Sequence, residues 1–405
     1  MHDATVIGNR LRTLRKWRGL TLVELAGMAG MSKTHLSDIE RGLKALDRRS
    51  YVASLSTALR VSEADLVGGP HLTQDPVQAG PHSTVPQMRI ALQTNTLTEP
   101  ATDRAREVGI LTAEVKQLED VFARCDYVTL GSRLPGIIDE LHFHAARPQN
   151  EAAQRDSLTA LVEACMYATF RMKDLGYGDL AHQAATRAEE AARLLGDPVA
   201  LGKAAYCRIQ TMPREAGWDR KLTAARRAAD TLQPHVRSAE GTAVLGMLIL
   251  TSALAAAVAY RLDDARDGLA EARDLANYID DDPCRNWSAF SITNVGAWGV
   301  ALAVESGESG GAVLEKARIV DESLLLGRPS RRATFLADVG RGLAREQKTA
   351  KGALGWMLRA EGVAPQRIRN SPQVREAVAV MIQRSKVAAS GRELRGLAAR
   401  MGIPH

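Results

Sequence analysis

Along the first sixty positions apolar residues recur with the spacing of one helix face, broken at intervals by residues that end helices. Ile7, Leu11 and Leu14 stand at i, i+4 and i+7 and predict an amphipathic helix from about Val6 to Trp17. Arg18-Gly19-Leu20 ends it. Thr21 is a good N-cap, and Glu24 three residues on completes a capping box. The helix so begun carries Leu22, Leu25 and Ala26 and stops at Gly30. Ser32 caps a third helix, carrying Leu36 and Ile39. Further apolar spacing predicts helices over about Arg49 to Leu59 and, capped by Ser62, over Ser62 to Leu66.

Gly30 sits between two helices in a turn only a residue or so long. Such a turn needs positive φ, which glycine adopts cheaply. The helices on either side must cross closely, and Ala26 is the small residue at the crossing. A small residue, a glycine four positions later and apolar residues at fixed offsets beyond form a helix-turn-helix pattern.

From Gly68 the periodicity stops. The stretch "GGPHLTQDPVQAGPHSTVP" holds Pro70, Pro76, Pro81 and Pro86 and reads as an extended, flexible connector over residues 70–100. Within it a short apolar run, Met88 to Leu92, can dock on one domain. His71 and His82 read as solvated linker residues rather than metal ligands. Beyond Pro100 almost everything reads as paired helices. Second members open near Asp179, Asp219, Asp263, Glu308 and Lys348, with alanines recurring at i, i+4 and i+7 on one face. First members run over about Asp156 to Leu175, Val199 to Thr211, Glu240 to Leu262, Ser288 to Glu305 and Arg331 to Arg345. Pairs near Asp103 to Ala145 and Pro372 to Met401 would cap the array. A period of about 40 residues in paired helices predicts an α-solenoid. The fold class is therefore all-α, with a five-helix domain at residues 1–69, a linker at 70–100 and a helical-repeat domain at 101–405.

Composition supports this division. Of 405 residues 45% are hydrophobic but only 4% aromatic, so a large core must be built from Ala, Leu and Val. No run of about 18 uninterrupted apolar residues predicts a membrane span, and no signal peptide is expected at the polar N-terminus. Cys125, Cys165, Cys207 and Cys284 are widely spaced and read as reduced thiols. Both features lead to the expectation of a cytoplasmic, nucleoid-associated protein. The net charge is +6, and residues 1–68 hold eleven Lys and Arg against seven Asp and Glu, so most of the excess lies there. Arg10, Arg12, Arg15, Lys16 and Arg18 fall together with no acid among them. They read either as a solvated helix face or as a phosphate-facing patch. The sequence holds no GxxxxGK[ST] loop and no HExxH; Gly307-Glu308-Ser309-Gly310-Gly311 has GxSxG spacing, but it opens a helix with no strand predicted before it and is not read as a nucleophile elbow. His142 and His144, two apart on a helix, point to different sides. The expectation is no enzyme, no cofactor and no metal.

The segment "IGNRLRTLRKWRGLTLVELAGMAGMSKTHLSDIERG" resembles the phage-repressor (Cro/Xre-type) helix-turn-helix of bacterial regulators, over about Val6 to Val67. The resemblance implies that the third helix enters the major groove of double-stranded operator DNA. Ser32, Lys33, Thr34 and Asp38 match base-facing or groove-facing positions, with Ser37 a further candidate. Lys33 would donate to guanine, Thr34 would pack on a thymine methyl, and Asp38 would accept from cytosine. His35 falls towards the flank. Arg41 and Arg48 match phosphate-clamp positions, and Arg15 and Glu40 match a structural salt bridge. One departure is Leu22, where relatives carry a polar, phosphate-touching residue; Thr21 or a backbone N–H would have to take over that contact.

The body is similar to tetratricopeptide-like repeats at a longer, degenerate period. The joint layout resembles peptide-pheromone (quorum-sensing) regulators of Gram-positive bacteria and actinobacterial regulators of the same plan. It implies a homodimer whose body senses a peptide or small molecule and whose heads read two half-sites. Tyr167, Arg171, Arg208, Asn294 and Trp298 are the candidate ligand-binding residues, since Asn can pair with a peptide backbone and Arg with a carboxylate. The alternative is a DNA-bound scaffold whose repeats hold a protein partner and no small effector.

Overall fold

The computed structural model describes residues 7–67, 76–213, 217–281, 287–385 and 391–403. Val6, Pro70, His71 and Cys284 lie outside them. All regular structure among the described residues is helical.

The head comprises α1 (Ile7–Trp17), α2 (Leu22–Met28), α3 (Lys33–Glu40), α4 (Arg49–Leu59) and α5 (Glu63–Val67). Local chemistry sets their ends. Thr21 Oγ1 accepts from the Glu24 amide at 3.2 Å while Glu24 accepts from the Thr21 amide at 2.7 Å, the reciprocal capping box. Ser62 and Asp65 repeat the arrangement before α5. Leu11, Leu25, Leu36, Ile39, Leu55, Leu59 and Leu66 are fully buried together and form the core. Leu22 packs against this core, which accounts for an apolar residue at that position.

The segment expected to be an extended connector is largely helical. It contains α6 (Pro76–Ser83) and α7 (Val85–Thr94). Val85, Met88, Ala91 and Leu92 fall on one buried face of α7. Pro86 lies in its first turn, where the missing N–H costs nothing. Proline here starts a helix rather than preventing one. His82 is half-buried, with Nδ1 3.0 Å from the Tyr177 hydroxyl, and is not a solvated linker residue.

Helices then follow in succession: α8 (Val108–Ala123), α9 (Tyr127–Ala146), α10 (Glu151–Asp174), α11 (Gly178–Leu195), α12 (Pro198–Thr211), α13 (Trp218–Leu232), α14 (Ala239–Val258) and α15 (Leu262–Ala276). After them come α16 (Ile292–Ser306), α17 (Gly310–Arg318), α18 (Pro329–Ala344), α19 (Ala350–Val363), α20 (Pro365–Arg369), α21 (Pro372–Ser385) and α22 (Arg392–Arg400). The even-numbered helices from α8 to α18 each pack on the next even-numbered one, and each also packs on the odd-numbered helix after it. Asn150, Asp197, Ser238 and Ser291 cap α10, α12, α14 and α16 with their side-chain oxygens. The alanine stripe of α11, from Ala181 to Ala192, is buried, which lets α10 and α11 approach closely.

Helix α14 is long and apolar enough to cross a membrane by composition, yet it is buried along most of its length against α13, α15 and α16. It is a core helix here. The ends of the array meet: Arg328, before α18, pairs with Glu119 of α8 at 3.1 Å, and Arg367 of α20 pairs with Asp174 of α10. Cys125, Cys165 and Cys207 are free and buried, and burial pushes the Cys165 thiol up to about 12. Such thiols stay protonated and unreactive.

Candidate nucleic-acid interface

The turn between α2 and α3 has the predicted geometry. Gly30 has φ +67°, and a Cβ there would meet nothing within 4 Å, so its requirement is conformational rather than steric. The Met31 amide donates to Ala26 O at 2.9 Å and closes the turn. Ala26 is buried at the crossing.

Ser32 Oγ accepts from the His35 amide at 3.1 Å and so fixes the start of α3. Ser32, Lys33 and Thr34 are exposed on the opening turn, where free N–H groups and the positive end of the helix dipole favour an anion. Ser37 is half-buried one turn further on. Asp38 is half-buried and engaged: its carboxylate accepts from Arg41 at 2.6 Å and lies 3.2 Å from Lys44 Nζ. The hydrogen bond from Arg41 is the main reason its carboxyl sits below the usual range. A base contact by Asp38 would require it to leave both partners. His35 packs on Tyr51 with ring centroids 5.1 Å apart.

The basic run of α1 divides by role. Arg15 holds Glu40 through two hydrogen bonds of 2.6 and 2.9 Å and Leu20 O at 2.8 Å, joining α1 to the end of α3. Arg18 donates to Leu59 O and Arg60 O, at the end of α4. Arg12 and Lys16 remain exposed.

Of the phosphate candidates, Thr21 is exposed with its hydroxyl accepting the cap bond, and Arg41 is exposed at the end of α3. Arg48 is placed elsewhere. It donates to Glu305 O at 3.0 Å and lies over the Tyr51 and Tyr260 rings. It faces the body, so the phosphate contact that the resemblance implied for it is not available in this arrangement. Lys44, exposed beside Arg41, was missed; the charge run Arg41 to Arg49 was the available signal. Gln383 and Arg384 also stand beside this loop, and no local pattern could have found residues more than 300 positions away in the chain.

A concavity of about 840 Å³ lies on the body among α8, α10, α12 and α14. Glu163, Tyr167, Lys203, Glu240 and Trp287 are among its walls. Lys203 is buried between Glu163 and Glu240, which bond its ammonium. Burial opposes the charge of Lys203, but the two carboxylates outweigh it and its pKa is raised. Of the five ligand candidates only Tyr167 lines this space. Arg171 is fully buried and bonds Tyr127 O at 2.9 Å together with Pro81 O and Thr84 Oγ1, pinning α6 and α7 to the body. Asn294 is buried and accepts from Arg331 at 3.0 Å, and the same guanidinium lies 5.1 Å from the Trp298 ring centroid. Arg208 pairs with Glu189. Arg171, Asn294 and Trp298 are spent on the protein's own packing, while Arg208 stays partly exposed beside Glu189.

The head's geometry is that of a helix-turn-helix unit. Residues 6–67 match the helix-turn-helix domain family. The HTH-type transcriptional regulator SinR of Bacillus subtilis (strain 168) is 38% identical over 69 residues, covering 17% of this chain and 62% of that protein. SinR of Bacillus licheniformis is 40% identical over 57 residues, covering 14% of this chain and 51% of that protein. The chain thus spans between half and two thirds of the length of these relatives. No solved structure matches.

Proposed function

We propose that this protein is a sequence-specific DNA-binding transcription regulator. The observation that carries the reading is the opening turn of α3, where Ser32, Lys33 and Thr34 project from a capped helix start on a bundle matched as helix-turn-helix. An exposed helix start of this kind suits the major groove, with Lys33 donating to guanine and Thr34 meeting a thymine methyl. Arg41, Lys44, Thr21, Arg12 and Lys16 supply phosphate contacts around it. The names of the matched relatives support the same class of activity.

The body is read as an α-solenoid of tetratricopeptide-like pairs that dimerises and senses a peptide or small molecule. Its support is the stacking of even-numbered helices and the cavity they line. Two heads on a two-fold axis would read half-sites in successive major grooves. A ligand preferring one head separation over another would shift DNA affinity.

The test is selection of a duplex from random-sequence DNA, followed by fluorescence anisotropy. Lys33→Ala with Thr34→Ala should abolish preference for the selected duplex over a scrambled one while the helical circular dichroism stays unchanged. Retained preference would refute the recognition helix assigned here.

A further inference from the structure

The connection between α3 and α4 is the part of the head that the body grips. Gly42 has φ +70°, and a Cβ on it would lie 1.8 Å from the Gln383 side chain of α21. With its amide turned to donate, Gln383 reaches Gly42 O at 2.6 Å and Arg41 O at 3.2 Å. Arg384 donates to Leu43 O at 2.7 and 3.1 Å and to Ala344 O at 3.0 Å. The Leu46 amide donates to Glu376 at 3.2 Å. Asp47 accepts from Arg345 at 2.9 Å, and its carbonyl accepts from Arg341 at 2.7 Å.

At the centre stands Glu305, in the last turn of α16, with a side chain wholly shielded from solvent. It accepts from the Arg49 amide at 3.0 Å, the Arg49 guanidinium at 2.8 Å and Arg341 at 3.1 Å. Arg341 also holds Asp338 at 2.7 Å. Three carboxylates and three guanidiniums are thereby interlocked across the two parts of the chain. Burial alone would push the Glu305 carboxyl up, but Arg49 and Arg341 together hold it down at about 2. An arrangement of buried charges tolerates few alternative geometries, because displacing one partner strands another.

We propose that this loop is a latch through which the helical body sets the position of the recognition helix, with Glu305 as its central positioning residue. The grip lies within one turn of α3: Gly42 N–H bonds Ile39 O at 2.9 Å and Leu43 N–H bonds Asp38 O at 2.8 Å, so the gripped loop and the helix move together. The grip leaves Ser32, Lys33 and Thr34 exposed, so it orients the reading turn without covering it. Helix α16 also connects two places. Trp287, five residues before its start, lines the body cavity, and Glu305 lies about 20 Å along the helix from Ile292. Sliding α16 against α18 would separate Glu305 from Arg341 and loosen the loop. The head is therefore a rigid extension of the body, and the body dictates which half-site separation two heads can reach. This inference rests on the DNA-reading proposal for its consequence but not for the latch itself.

The experiment has two arms on the full chain. Hydrogen exchange reads the Leu46 and Arg49 amides, which are bonded to Glu376 and Glu305. In Glu305→Gln both should exchange about a hundredfold faster, with α14 still protected. Arg345→Gln, a milder change at the rim, should act in the same direction and serves if the first variant misfolds. The second arm uses duplexes carrying two selected half-sites at stepped spacings. The wild type should prefer one spacing about tenfold or more, and Glu305→Gln should lose that preference while keeping single half-site affinity. Unchanged exchange in both variants overturns the latch. Lost protection with an unchanged spacing preference overturns its positioning role. A wild type that binds no duplex sinks the DNA-reading proposal instead, and the exchange arm still decides the latch.

Discussion

Replacing Glu376 with glutamine should make the protein more stable in mildly alkaline solution, against the usual result of removing a buried bonded group. Glu376 is buried on α21, where its carboxyl accepts from the Leu46 amide at 3.2 Å and Asp47 lies close by. Burial is the largest influence and, with the Asp47 charge, pushes the pKa from 4.5 up to about 7, although the Leu46 and Ile7 amides and Arg375 pull the other way. A raised carboxyl pKa means that the fold favours the protonated form. Stability from this group is fully present below the unfolded value of 4.5 and is lost as pH rises through about 7. At about 1.4 kcal/mol per pH unit, the loss above pH 7 is on the order of 3 kcal/mol. Glutamine keeps an oxygen for Leu46 and never ionises, so it avoids that loss. Urea denaturation near pH 5 and near pH 8 provides the assay. Glu376→Gln should be close to neutral in the first and stabilising by about 1–3 kcal/mol in the second. Glu305 has the opposite sign: held at about 2, it contributes stability above 4.5 that is lost as pH falls, in both proteins alike. If Glu376→Gln destabilises equally at both pH values, the carboxylate is needed as an ionised acceptor and the reasoning fails.

Two further outcomes follow from the head. Gly30→Ala should destabilise it by about 1–2 kcal/mol, because φ of +67° strains any side chain although space for one exists; an unchanged melting temperature would contradict this. Asp38→Asn frees Arg41 and Lys44 from a competing carboxylate, so affinity for unselected duplex should rise and its logarithmic salt slope should steepen by about 1; an unchanged slope would show that neither cation meets phosphate.

The head could be read closely from its sequence because its determinants are local. Thr21 and Glu24 are three residues apart, Ser32 caps the helix it precedes, and Gly30 acts through its own φ. In the body the alanine face of α11 was legible, but helix openings were placed less closely: α10 opens at Glu151 rather than near Asp156 and α16 at Ile292 rather than near Ser288, because their caps Asn150 and Ser291 were not read as caps. The residues 76–94 were misread because prolines were weighed as breakers. Pro76 and Pro86 stand in first turns, and Met88, Ala91 and Leu92 already had helical spacing.

What periodicity could not supply was the partner of each buried polar side chain. Asn294, Trp298 and Arg171 have the residue types of a ligand-binding face, and a helix face alone cannot show whether its polar groups meet solvent or another helix. The answer depends on Arg331 and on Pro81 and Thr84, which the fold brings in from other elements. Arg48 is the sharper case. Within the head it stands where a phosphate clamp is expected, and only the curl of the array, closed by Arg328 with Glu119 and Arg367 with Asp174, brings α16 against it. A residue that matches a phosphate-clamp position in the head alone touches the body in the whole chain. If α3 reads DNA as proposed, the loop after it exchanges part of its capacity for phosphate contact for a fixed orientation. That exchange makes functional sense only if the direction in which the reading turn points matters more to this protein than one additional ionic contact.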